Sequence, residues 1–386
     1  MHIDNDIIAL TETVKEHRRR LHRCPETGFE LENTRDYILD CFKAWDFDEV
    51  TVMADTGIKA VIKAQQPQGT LAFRADMDAL SLQEETGAEF ASERKGFMHA
   101  CGHDGHMAML LGFAEWLHKN RQNLKKNAVL IFQPAEESVG GALPMIEQGV
   151  LESPRPDAIF AFHIMPDLPQ GRIGLKAGPL MAQTCEFDVI LHGTSAHGAM
   201  PHKGADAILA ASHFIASLQG LMTRRIDPFE RALVSIGKLN GGERRNILAS
   251  KVVMEGIART FNDDVYAIVR DQILTLLEGL ERSHGVSGEY REVVYYPAVV
   301  NDEALADRLG SILPRDAVIP VNPMMIAEDF SYYQKKVPGV YMFLGSGNEE
   351  LGFVHPLHSS RFGFDEAILL DGIQAFKDIF TGLELR

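Results

Sequence analysis

Three short stretches of this sequence, each running into side chains of metal-ligand type, restrict its fold more than anything else in it. Thr70-Leu-Ala-Phe-Arg74 leads to Asp76-Met-Asp78, Asn127-Ala-Val-Leu-Ile-Phe132 to Gln133-Pro-Ala-Glu136-Glu137, and Pro156-Asp-Ala-Ile-Phe-Ala-Phe162 to His163. Short, mainly apolar runs without polar alternation are the pattern of strands buried on both faces, as in a parallel sheet. In open α/β sheets, chemistry collects at the carboxyl ends of such strands. A buried strand has no structural reason to end repeatedly in carboxylate or imidazole, so the three ends read as parts of one site.

A fourth part lies between the first two strands. Met98-His-Ala-Cys-Gly-His-Asp-Gly-His106 holds three histidines, a cysteine and an aspartate, and the apolar run from Met107 to Leu117 follows it. This reads as a loop feeding a buried helix, with Cys101 and His103 spaced to reach one centre. A fifth is His358, in the segment Phe353-Val-His-Pro-Leu-His358. The candidates are therefore Asp76, Asp78, Cys101, His103, Glu136, Glu137, His163 and His358. Each alone has an ordinary reading as a turn former, a solvated carboxylate or a core histidine; together those readings require five or more separate accidents. Thiolate, imidazole and carboxylate form the ligand set of a borderline-soft divalent metal. Adjacent glutamates on an extended strand end point in opposite directions, which suits one to ligation and the other to proton transfer. Five ligands exceed one tetrahedral site with an open position; they suit two metals about 3.5–4 Å apart that share a ligand.

The rest of the chain sets limits. Its 386 residues are enough for two domains, and a net charge of −16 argues against nucleic acid or an anionic membrane as partner. No apolar run approaches the ~20 residues of a membrane span, and Met1-His-Ile-Asp-Asn-Asp6 has no signal-peptide pattern. Four cysteines (24, 41, 101, 185) form no disulfide-like framework, which suits a reducing cytoplasm. Cys24, Cys41 and Cys185 read as small buried residues. The pattern over 4–22 predicts a surface helix ending in a basic run, His17 to His22. From about 179 to 296 alternating strands at 186–192, 232–238, 251–259 and 289–295 interleave with helices at 204–222 and 263–283. That βαββαβ order predicts a small ferredoxin-like open sheet inserted into a mixed, largely parallel α/β domain made of 1–178 and 297–386. There is no Gly-x-Ser-x-Gly, so a serine nucleophile is poorly supported.

Arg74-Ala-Asp-Met-Asp-Ala79, the 98–106 loop, Gln133-Pro-Ala-Glu-Glu137 and Ser195-Ala-His-Gly-Ala-Met-Pro201 resemble the M20 metallopeptidase superfamily. Within it they resemble the amidohydrolase branch of hippurate hydrolases, auxin-conjugate hydrolases and N-acetyldiaminopimelate deacetylases. The resemblance runs from His17 to the last helix. It implies a zinc-exopeptidase-like catalytic domain and an inserted lid through which the chain forms a homodimer or higher homo-oligomer, with hinges near 178 and 296. It implies that Cys101 bridges two divalent ions (zinc, manganese, cobalt or nickel), His103 and His163 completing one site and Glu137 and His358 the other. Glu136 would be the general base and Asp78 would orient a ligand. His197, in the insert, would stabilise an oxyanion in the partner subunit's site, while Asn246 and Arg259 would hold the substrate's carboxylate. His99, Asp104, His106 and His202 would be structural, and Glu328 and Asp329 would serve loop hydrogen bonding. The implied activity is deacylation of N-acyl-L-amino acids, with a dipeptidase or carboxypeptidase as alternative and a non-catalytic metal-binding protein as a remote one.

Overall fold

A computed structural model describes residues 1–385. Its strands are β1 (Glu49–Met53), β2 (Gly57–Ile62), β3 (Thr70–Asp76), β4 (Asn127–Gln133), β5 (Ala158–Pro169), β6 (Ile173–Leu175), β7 (Gly178–Met181), β8 (Gln183–His192), β9 (Leu233–Gly241), β10 (Lys251–Thr260), β11 (Ser287–Tyr296), β12 (Val299–Asn301), β13 (Val318–Pro320) and β14 (Gly339–Gly347). The chain divides into two compact units, Met1–Leu180 with Val300–Asn322 and Asp329–Arg386, and Met181–Val299 with Pro323–Glu328.

The first unit is built on an eight-stranded sheet ordered β1-β2-β4-β3-β5-β14-β6-β13. β3 runs parallel to β4 and β5, and β5 parallel to β14, so the three strands singled out in the sequence are neighbours. Every residue of β2, β3 and β4 is buried, as the absence of polar alternation requires. Helices Thr11–Arg23, His103–Lys119 and Ile368–Gly382 pack together, with Phe113 set against Phe73 (4.8 Å between centroids) and Phe376 (5.6 Å).

Four local expectations change. β5 does not end at His163: it continues to Pro169 because β14 stays in register with it, while β3 leaves after the pair Arg74–Ala161. His163 therefore sits mid-strand. The helix after the cysteine loop begins at His103, just after Gly102 at φ 86°, a conformation glycine adopts without strain. The basic helix is not a surface helix, since Arg18 and His22 are 2% and 4% exposed. Burial there is made possible by Asp104, which accepts from Arg18 Nε (3.1 Å) and His22 Nδ1 (2.9 Å). Cys185 is buried as expected, but Cys24 and Cys41 are only half-buried.

The second unit has the βαββαβ order, giving an antiparallel sheet β11-β8-β10-β9. Burial alternates along β10, and helices Ala207–Arg224 and Asp263–His284 cover one face through Phe214, Leu218, Val269, Ile273 and Leu277. Asn262 caps the second helix by accepting from Val265 N at 2.7 Å. The segment Pro323–Glu328 joins this unit through bonds from Ala182 N to Met324 O and Ile326 O. Among the described residues no helix is long and apolar enough to cross a membrane.

Candidate metal centre

The site is assembled where β3, β4 and β5 lie side by side. β4 stops at Gln133, and Ala135 at φ 59° turns the chain so that Glu136 and Glu137 lie in a loop rather than on an extended strand. The turn closes tightly: a side chain at Gly141 would run into the Pro134 carbonyl oxygen. Asp78, 1% exposed just beyond β3, accepts the backbone N–H of Glu136 (3.0 Å) and of Glu137 (3.1 Å). One carboxylate thus ties the ends of two strands together and fixes where both glutamates project.

Cys101 Sγ lies 3.3 Å from His163 Nε2, whose other nitrogen donates to the Ile164 carbonyl at 2.7 Å. That bond puts the proton on Nδ1 and leaves the Nε2 lone pair facing the thiol, the tautomer a ligating histidine needs. Burial lowers His163 to about 3, so the ring is neutral. His358 enters from a loop pinned by its own N–H to Ala100 O (2.9 Å) and takes φ 62°, unusual for a residue with a side chain. Its Nε2 is 3.0 Å from Glu137 Oε1. His103 Nε2 is 3.9 Å from the same oxygen.

These contacts resolve into two ligand groups with one member in common. The donor atoms of Cys101, His103 and His163 lie within 4.8 Å of one another, and so do those of Cys101, Glu137 and His358. Glu136 forms a further group with His103 and Glu137 under the same limit. The donor set fits divalent cations for a physical reason. Both ring nitrogens of His103 are buried with no hydrogen-bond partner among the described residues, a costly arrangement unless something else engages them. Burial alone would lower His103, but Asp76, Asp78 (3.6 Å from Nδ1) and Glu137 lift it to about 10. Burial and then the two glutamates push the Cys101 thiol well above its ordinary range. Glu137 falls to about 2 because the hydrogen bond from His358 and the charge of His103 outweigh burial. A pocket that crowds carboxylates and a thiol around an unbonded imidazole is one that positive charge completes.

The second unit holds the other three candidates. His197 is exposed; its Nδ1 accepts from Ala199 N at 3.1 Å, which leaves the hydrogen on Nε2. Asn246 lies beside it, its backbone carbonyl accepting from Gly198 N at 2.8 Å. Arg259, on β10, has a buried Nη1 without a partner among the described residues, and burial lowers its pKa. Thr184 stands opposite it in register, so on the same face, and its hydroxyl is likewise buried and unpartnered. His202 is exposed in the short turn Pro201–Lys203.

Residues 72–381 match the family model described as Peptidase family M20/M25/M40. The chain belongs to this family. Among its relatives, "Thermostable carboxypeptidase 1" of Saccharolobus solfataricus is 36% identical over 97% of this chain and 96% of its own length. The "N-acetyldiaminopimelate deacetylase" of Bacillus subtilis is 36% identical over 94% of this chain and 96% of its own. A solved structure from Bacillus subtilis, titled a dinuclear metal-binding peptidase of the M20 family, superposes with a TM-score of 0.84 at 33% identity, covering 97% of this chain and 98% of that one.

Around the M20 site, the residues expected to be structural are deeply built in. Asp104 holds Arg18 and His22; burial lowers His22, but Asp104 and Glu84 (3.2 Å) raise it to about 9, so a protonated ring sits between two carboxylates. His99 is 1% exposed with neither nitrogen hydrogen-bonded among the described residues. Glu328 and Asp329 are both buried. The sequence reading gave Arg74 no role. It lies fully buried in β3, pairing with Asp76 (2.6 Å) and Asp329 (3.0 Å), while Gln133 Nε2 also donates to Asp329 (2.8 Å). An arginine inside an apolar strand was a readable signal that a buried partner exists; that the partner is 255 residues away was not.

Proposed function

We propose that this M20 chain is a cytoplasmic two-metal amidohydrolase that removes the acyl group from N-acyl-L-amino acids. The observation that carries the reading is the pair of ligand groups sharing Cys101, with Glu136 next to Glu137 at their edge. Cys101, His103 and His163 would hold one ion and Cys101, Glu137 and His358 the other, and the pair would supply Lewis-acid activation of water and of the amide carbonyl. Glu136 accepts the proton of the attacking water and returns it to the departing amine. Asp78 keeps Glu136 and Glu137 in register through their backbone N–H groups. His197 offers Nε2–H to the developing oxyanion, and in this reading it serves the site of a second copy of the chain. Sedimentation of a fully active monomer would overturn that last element.

Two features support a substrate with one neutral and one anionic end. Arg259 Nη1 and the Thr184 hydroxyl, buried and unsatisfied on one face, suit a carboxylate. Asn246 lies beside His197, towards the other end of β10 from Arg259, so in this reading its amide, like His197, serves the site of a second copy. A groove of about 820 Å³ beside the metal centre is lined by Phe29, Leu80 and Leu82 together with Glu30, Asp78 and Glu137. Phe29, Leu80 and Leu82 give it the apolar wall that a neutral acyl group needs. The likeness to a carboxypeptidase keeps peptide cleavage as the second reading.

The test is a panel of N-acetyl, N-hexanoyl and N-benzoyl amino acids set against dipeptides, using zinc-, manganese- or cobalt-loaded protein. The reading expects the acylated series to give the higher kcat/KM and Arg259→Ala to raise KM by about 10- to 100-fold, the loss of a charge-assisted contact worth roughly 1.5–3 kcal/mol. Faster turnover of the dipeptides would replace it with the peptidase reading.

A further inference from the structure

β5 loses its β3 neighbour after Ala161, yet His163, the ligand candidate, and Ile164 lie beyond that point. The backbone of Ile164 consequently has polar groups facing a place where no strand continues. Both are taken by imidazoles: its carbonyl accepts from His163 Nδ1 (2.7 Å), and its N–H donates to His106 Nε2 (2.9 Å). Since a backbone N–H only donates, His106 Nε2 is the unprotonated nitrogen and its proton sits on Nδ1. That proton is given to Asp76 Oδ1 at 2.6 Å. Asp76 Oδ2 in turn accepts from Arg74 Nη1 (2.6 Å), and Arg74 Nη2 donates to Asp329 (3.0 Å), which also accepts from Ala142 N (2.9 Å). His106 is 2% exposed and Asp76 fully buried, and the rings of His106 and His163 meet edge to face at 4.8 Å.

We propose that His106, oriented by Asp76, is a positioning residue for the metal centre: its imidazole takes the Ile164 N–H in place of the missing β3 partner and so holds the residue whose carbonyl aims His163. Although Asp76, His103 and His106 also fall within ligand distance of one another, His106 has no lone pair left for a metal. It acts on the centre through Ile164 and His163 rather than by ligation. The inference rests on the proposed ligand role of His163.

Chelator-treated wild type, His106→Leu and His106→Gln are titrated with Zn²⁺ by calorimetry. Glutamine can accept the Ile164 N–H and donate to Asp76; leucine fills space and does neither. The expected result is that His106→Leu binds one of two ions about 10- to 100-fold more weakly, the usual effect of losing a partner behind a ligand, while His106→Gln stays close to wild type. Equal binding by His106→Leu and wild type would overturn the inference, and so would a loss in His106→Gln as large as in His106→Leu, which would mark a packing role. Should His106→Leu not fold, ¹⁵N spectra of histidine-labelled wild type decide: a proton on Nδ1 of His106 is required, and one on Nε2 contradicts the arrangement. Wild type that binds fewer than two ions would instead refute the two-metal reading itself.

Discussion

Glu136→Ala should leave metal binding intact and lower kcat on an N-acyl amino acid by about 1000-fold, within the range that positioned proton transfer contributes. The separation of effects follows from the loop. Glu136 and Glu137 are adjacent, yet only Glu137 contacts His358 (3.0 Å) and falls into a group with Cys101. Asp78 holds the loop through the main chain, so truncating the Glu136 side chain leaves the neighbouring ligand where it was. Metal analysis beside steady-state kinetics checks both halves. A kcat within tenfold of wild type would remove Glu136 from the mechanism.

Cys101→Ala should have the opposite signature. Cys101 belongs to both ligand groups, so its loss weakens both ions together, by more than about 100-fold since a direct ligand counts for more than a partner behind one. Turnover should fall to background with no folding defect, because the side chain removed is small and, pushed well above its usual range by burial and by Glu137 and Glu136, is a neutral thiol in the absence of a cation, so no buried charge loses its partner. Metal content of the purified variant, with circular dichroism as the control for folding, reads the result. Loss of a single ion would assign Cys101 to one site only.

The amino-acid sequence carries much of this site because strand burial and ligand chemistry leave independent marks. An apolar run ending at Glu136-Glu137 speaks of both at once, and so does Cys101 two positions from His103. What it could not carry depends on partners far along the chain. His163 looked like a strand end because the apolar run changes there; the strand goes on because β14 continues to pair with it. Arg18 and His22 looked like surface cations, since nothing local reveals that Asp104 waits for them. His106 could be set down as structural, but its hydrogen bonds to Asp76 and to Ile164 N, which make it part of the metal centre's support, need the tertiary fold to appear. The glutamates, read as a strand end, turned out to be set by a tight turn and by Asp78.

The central claim is that one chain holds two divalent ions around Cys101 and needs both to hydrolyse an amide. Its most direct test is stepwise addition of Zn²⁺ or Co²⁺ to chelator-treated wild type, with bound metal and hydrolysis of an N-acyl amino acid followed together. The account predicts two ions per chain, with activity appearing as the second one binds. Saturation at one ion, or full activity in the metal-free protein, would contradict it.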